Sequence, residues 1–203
     1  MSSPRIRRLT SDYVLLQKVF AGSPIIEILG VAGLPPELYR FTYKIKGLHV
    51  SPSGDIIERD THLLEVNLTL GYPRRAPQCR MLTPIFHPNF DEASVCIGDF
   101  WAASEGLDDL IIRIGRMIAF QEYNTKSPLN GLAAKWASEH SYLLPIDNRN
   151  ISPAGVVPAN SALASQAGPR NETTPSFPSE TQAVAVPVQS AVEDPWKTKI
   201  IIS

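Results

Sequence analysis

The sequence predicts an α+β fold over residues 1–145 and a flexible tail over 146–203. Apolar residues at helical spacing open and close the first part, and period-two alternation fills its middle. After Pro145 the composition shifts to Ala, Ser, Pro, Asn, Gln, Thr and Val, with few aromatics.

Residues 5–20 predict a helix, because Leu9, Tyr13, Leu16 and Phe20 share one face. Gly22, Ser23 and Pro24 punctuate it. Residues 25–31 form a short apolar strand candidate, and Gly33, Leu34, Pro35 and Pro36 a turn. Phe41, Tyr43 and Ile45 alternate with Thr42, Lys44 and Lys46 in a second strand. A turn at 51–54 contains Pro52. Leu64, Val66, Leu68 and Leu70 alternate in a third strand, and residues 78–85 read as a fourth. Short links between consecutive strands imply a four-stranded antiparallel meander. A long irregular stretch follows from Phe86 to Gly106, and such a loop inside a compact domain is usually functional. Leu107, Leu110, Ile111, Ile114 and Ile118 then give a helix with a wide apolar face, and Asp108 and Asp109 in its first turn suit the helix dipole. Residues 132–142 give a last short helix.

Composition narrows the function classes. Of 203 residues, 19 are Lys or Arg and 20 are Asp or Glu, so no basic footprint for nucleic acid exists. No apolar run approaches the ~20 residues of a membrane helix, and basic residues 1–8 lead into no apolar signal core. A cytoplasmic protein is expected, with no membrane partner. Two cysteines, Cys79 and Cys96, without a C-x-x-C pair make a disulfide framework or a structural zinc site improbable, and no metal or cofactor is expected. Prolines at 153, 158, 169, 175, 178 and 187 break regular structure in the tail, which buries too little to offset its ordering entropy. The tail ends on Asp194, Pro195, Trp196 and Ile200–Ile202, either a docking peptide that adds a strand to a partner or a segment that packs on its own domain.

The long loop carries the chemistry. His87-Pro88-Asn89 precedes Cys96, with Tyr72-Pro73 and Pro77 upstream, Trp101 before the apolar helix, and Ser127-Pro128-Leu129-Asn130 followed by Ala133 and Ala134 after it. Five motifs in this order resemble the ubiquitin-conjugating enzymes, the E2 family, over about residues 5–144. The resemblance implies a UBC-like fold: N-terminal helix, meander, long active-site loop and C-terminal helices. It assigns Cys96 the thioester with a ubiquitin-like C-terminus. Asn89 receives an amide that holds the loop or stabilises the oxyanion, and His87 a mainly architectural place in the turn. It also implies an E1-like activating enzyme, a ubiquitin-like protein, a target protein and an unspecified E3 as partners. Arg5, Arg7 and Arg8 on the first helix are candidates for meeting an acidic E1 surface, or form a solvated helix end. Ser127 aligns with the gate position of the family, and Asn124 shares its loop.

Taken alone, a cysteine is most often a small buried hydrophobe. That reading stands for Cys79, inside the fourth strand, whereas the surrounding motifs reverse it for Cys96. His49, His62 and His140 have no constellation, Trp101 and Trp136 read as core, Tyr72 and Pro73 as architecture, and Asp99 as a solvated acid. The chain departs from the family pattern. His87 to Cys96 spans nine positions, one fewer than common, and Cys96 to Trp101 only five. Gly98 replaces the acid that often stands two after the cysteine, and the usual final helix is cut short by Pro145. Divergent members of this kind occur in bacterial ubiquitin-like conjugation operons, some of them antiviral. A non-catalytic module that binds a ubiquitin-like protein is the alternative to an active enzyme. A thiol hydrolase using His87 as base is a weaker third, because the following proline makes that arrangement awkward.

Overall fold

The computed structural model describes residues 3–97 and 101–152. Helix α1 runs Pro4–Phe20, capped by the Ser3 hydroxyl, which accepts from the Ile6 N–H, with Pro4 where a missing N–H costs nothing. Its buried face is Leu9, Asp12, Leu16 and Phe20. Asp12 occupies the buried row, while Tyr13 lies only partly buried at its edge. The carboxylate is tolerated there because the Tyr72 hydroxyl donates to it at 2.6 Å and the Arg8 guanidinium at 2.8 Å.

Four antiparallel strands form the main sheet in the order β1 (Ile26–Gly33), β2 (Pro36–Tyr43), β5 (His62–Asn67), β6 (Gln78–Met81). This is the expected meander, with one addition. Between β2 and β5 a hairpin of β3 (Gly47–Val50) and β4 (Ile56–Arg59) forms its own two-stranded sheet around the turn at 51–54. Strands of four residues are too short for alternation to declare them, and only their turn is legible. The fourth strand is also shorter than expected. It ends at Met81, where Leu82 N–H makes one more bond, to the Leu63 carbonyl, before the chain leaves the sheet.

One face of the sheet presents Tyr39, Phe41, Tyr43, Leu64, Val66 and Cys79 to the helices. Helix α2 (Leu107–Ile118) covers it with Leu107, Leu110, Ile111, Ile114 and Ile118, all fully buried. Each such side chain contributes ~1.5–3 kcal/mol of burial. The Tyr43 hydroxyl donates to the Ile111 carbonyl at 2.9 Å, which satisfies the one polar atom of a buried ring. Gly115 lies against that ring: a Cβ there would sit 3.1 Å from Tyr43 Cε1 and 2.9 Å from Ile151 Cγ2. Helix α3 (Gly131–Glu139) starts under an Asn130 cap on the Ala133 N–H, and a single 3-10 turn, Ser141–Leu143, follows. No helix among the described residues is long and apolar enough to cross a membrane.

The packed chain continues past residue 145. Ile151 is buried in the core, Arg149 holds the Asp147 carboxyl down to about 2 and donates to the Lys44 carbonyl, and Gln121 bonds the carbonyls of Asp147 and Arg149. Residues 153–203, including the apolar terminal segment, lie outside the described residues.

Two stability predictions follow from these contacts. Asp12→Ala leaves the Tyr72 hydroxyl and Arg8 without their buried acceptor and should cost ~2–4 kcal/mol in urea unfolding, against ~1 for Tyr72→Phe. His62 is fully buried, and burial lowers it from 6.5 to about 4 although its Nε2 meets the Arg59 carbonyl at 3.0 Å. The unfolded chain therefore binds the extra proton first. This contribution is complete above pH 6.5 and is lost as pH falls toward 4, by ~3 kcal/mol in all. The urea midpoint should fall across that window, and His62→Gln should flatten the fall.

Candidate active site

The loop after β6 is pinned at its start by the Phe86 N–H on the Leu48 carbonyl of the hairpin. His87, Pro88, Asn89 and Phe90 are all buried. They form a tight turn closed by the Phe90 N–H on the His87 carbonyl, and the His87 ring accepts from the Asn89 N–H through Nδ1 at 3.0 Å. Its proton is thereby left on Nε2, which lies near the Met117 carbonyl without a hydrogen bond of ordinary geometry. Burial pushes this imidazole down to about 3, so it stays neutral. Rings of Phe90 and Phe120 enclose it at 4.8 and 4.5 Å, with Tyr123 behind. Phe120 stands at φ 54, a left-handed conformation that costs ~1–2 kcal/mol outside glycine and turns the chain sharply at the end of α2.

Each carbonyl of the turn has a specific task. Pro88 O accepts from the Leu129 and Asn130 N–H groups at 2.9 and 3.1 Å, which ties the turn to the start of α3. Asn89 O accepts from the Cys96 N–H at 2.8 Å. Between them, Asp91 closes a small reversal by accepting from the Ala93 and Ser94 N–H groups, and these bonds outweigh burial and lower its pKa. The Val95 N–H bonds the Cys79 carbonyl, so the reversal is stitched to β6. Cys96 therefore emerges from a braced reversal, closed by a single antiparallel bridge between Phe90 and Val95, and it is a free, half-exposed thiol. Cys79 is its opposite: buried, with the thiol pushed up to about 12.

The Asn89 side chain is held from one end. Its Oδ1 accepts from the Asn124 N–H at 2.9 Å, and this fixes which amide atom is the oxygen. Its amide nitrogen makes no hydrogen bond among the described residues. Asn124 in turn uses its own Oδ1 to accept from the Lys126 and Ser127 N–H groups, so Asn124 and Ser127 belong to one exposed loop bonded to the turn. The structure thus brings Cys96, Asn89, His87 and Asn124 together.

The three arginines of α1 do not act as a set. Arg5 pairs with Glu37 at 2.6 Å and bonds the Leu68 and Thr69 carbonyls. Arg8 bonds Asp12, the Tyr72 hydroxyl and the carbonyls of Ala103 and Glu105. Arg7 alone lines the outer groove of the helix, with Ile6, Val14 and Leu15. Trp101 lies against the Tyr72 ring and donates to the Pro73 carbonyl at 2.6 Å, and Trp136 packs between Phe86 and His140. Gly98 and Asp99 fall outside the described residues. Sequence reasoning missed Phe120, Phe90 and Asp12. A Phe at the end of an apolar helix carries no mark of its backbone angle, and Asp12 shows only as a polar residue next to the expected face.

A family model described as ubiquitin-conjugating enzyme matches residues 35–143. The chain is 28% identical over 144 residues, 69% of each protein, to the Caenorhabditis elegans protein named ubiquitin-conjugating enzyme E2 1. It also superposes with a TM-score of 0.50 on a solved structure described as a ubiquitin conjugating enzyme from Trypanosoma cruzi, at 20% identity and over 70% of this chain and 92% of that one. At that identity the structural likeness speaks for the fold. The matched segment runs from β2 through α3, takes in the His87 turn and Cys96, and covers more than half of the chain, so the protein belongs to the ubiquitin-conjugating enzyme family.

Proposed function

We propose that the protein is an E2-type transferase that carries a ubiquitin-like protein on Cys96. The Cys96 thiolate attacks the thioester carbonyl of a charged E1-like enzyme, the carbonyl–sulfur bond to the E1 breaks, and the E1 cysteine leaves as a thiolate. In the second step a neutral amine, the lysine of a target, attacks the Cys96 thioester. A carbon–nitrogen bond forms, the carbon–sulfur bond breaks, Cys96 leaves as a thiolate, and the nitrogen loses its proton to solvent. Both steps pass through a tetrahedral carbon bearing an oxyanion.

The observation that supports this reading is the Asn89 amide nitrogen, without a hydrogen bond among the described residues, on a residue whose carbonyl holds the N–H of the half-exposed Cys96. Asn89 is 6% exposed and its oxygen is occupied by Asn124, so the remaining N–H donors are oriented in advance and cost no reorganisation when charge develops. His87 has no part in proton transfer in this reading. Its Nδ1 is spent on the Asn89 N–H and its ring is neutral, which also weakens a hydrolase reading. Thiol acyl exchange needs no strong base, because sulfur is a competent nucleophile near neutral pH.

A charging assay tests the reading. The protein is incubated with ATP, ubiquitin and a ubiquitin-activating enzyme, and in parallel with the E1-like and ubiquitin-like proteins of its own organism. A reductant-sensitive adduct that requires ATP and E1 is expected for the wild type and for Cys79→Ser. Cys96→Ser should give no adduct or a reductant-resistant ester. An E1 that charges itself but never this chain would point to a binding module instead.

A further inference from the structure

Residues 146–152 return across the C-terminal end of α2 and grip both sides of Phe120. Ahead of it, the Asp147 N–H donates to the Ala119 carbonyl at 3.3 Å. Behind it, Gln121 Nε2 donates to the carbonyls of Asp147 and Arg149, the latter at 2.9 Å. The Arg116 guanidinium donates to the Ser152 hydroxyl at 3.2 Å and to the Glu122 carboxylate at 3.3 Å, so the end of the segment is tied to the next residue as well. The segment is itself anchored. Ile151 is buried against Gly115, and Arg149 pairs with Asp147 and donates to the Lys44 carbonyl at 2.8 Å.

The chain that follows Phe120 is the loop that holds Asn89. The Phe120 ring lies 4.5 Å from the His87 ring, and three residues after Gln121 the Asn124 N–H donates to Asn89 Oδ1 at 2.9 Å. Residues 121–127 are all exposed, so the placement of this loop rests on its polar contacts and on Tyr123 against Phe120. We propose that residues 146–152 are a positioning element for the candidate site, and that Gln121 is the positioning residue through which they set the Asn124 N–H on Asn89. The inference rests on the transferase reading above and adds to it what keeps the oxyanion donor in register. Gln121 touches no reacting atom. Its amide is spent on two carbonyls of the segment, and releasing it frees the loop between Phe120 and Asn124.

Amide hydrogen exchange on the full, uncharged chain, followed by NMR, tests this with two variants. Gln121→Glu keeps the shape of the side chain and turns its donor into an acceptor facing two carbonyls, whereas Gln121→Lys keeps a donor. In Gln121→Glu the Asn124 N–H is expected to exchange about fivefold faster, the size of one hydrogen bond, with the amides of α2 unchanged. Gln121→Lys should stay near the wild type. Unchanged exchange at Asn124, or a uniform rise that includes α2, would overturn the proposal. This readout needs neither E1 nor loaded protein, so its failure is distinguishable from a failure of the charging assay. In single-turnover discharge onto free lysine, Gln121→Glu should load normally and react about fivefold more slowly, with no further effect in an Asn89→Ala background. An equal slowing in that background would show that Gln121 does not act through Asn89, and would overturn the proposal as well.

Discussion

Two adjacent carbonyls, those of Pro88 and Asn89, hold the site. Pro88 O takes two N–H groups from the start of α3, and Asn89 O takes the N–H of Cys96. A buried turn must satisfy its backbone somewhere, and here the partners are the start of α3 and Cys96. The neutral His87 ring, packed between Phe90 and Phe120, keeps water from competing for those bonds and supplies an acceptor for the Asn89 N–H. Protonating that ring would remove the acceptor and place a charge in an aromatic box. The turn is therefore rigid for the same reason that its histidine cannot titrate near neutral pH.

The far end of the loop is held by a different device. Arg8 reaches from α1 to the Tyr72 hydroxyl and to the carbonyls of Ala103 and Glu105, while Asp12 neutralises it and accepts from the same tyrosine. Desolvation of the guanidinium opposes its charge, and Tyr72 and Asp12 outweigh it, so the pKa of Arg8 is raised. Trp101 closes this end on the Pro73 carbonyl. The few residues between Cys96 and Trp101 thus connect two anchored points.

Much of the fold was legible because burial imposes a period. Leu107, Leu110, Ile111, Ile114 and Ile118 declare α2, and Leu64, Val66 and Leu68 declare β5. The β3–β4 hairpin was not legible, because four-residue strands offer two cycles of alternation at most. The packing of residues 146–152 was hidden by Pro145 and by polar neighbours, among which only Ile151 reaches the core. Arg5 and Arg8 read as candidates for a partner surface or as a solvated end because, Asp12 apart, their partners lie 32 to 97 positions away, and pattern carries no such distance. The site itself was visible through its motifs alone. Its bonds run through backbone atoms of Pro88, Asn89, Asn124 and Leu129, and these have no signature in side-chain type.

The central claim is that Asn89, fixed by the Asn124 N–H, presents its amide to the reacting carbonyl. The most direct measurement is single-turnover discharge of the loaded Cys96 thioester onto free lysine, comparing wild type with Asn89→Ala. Loading of the variant should persist, while discharge should slow by about 10²–10³-fold, as for the loss of one oriented oxyanion donor. A variant that loads normally and discharges at the wild-type rate would contradict the account.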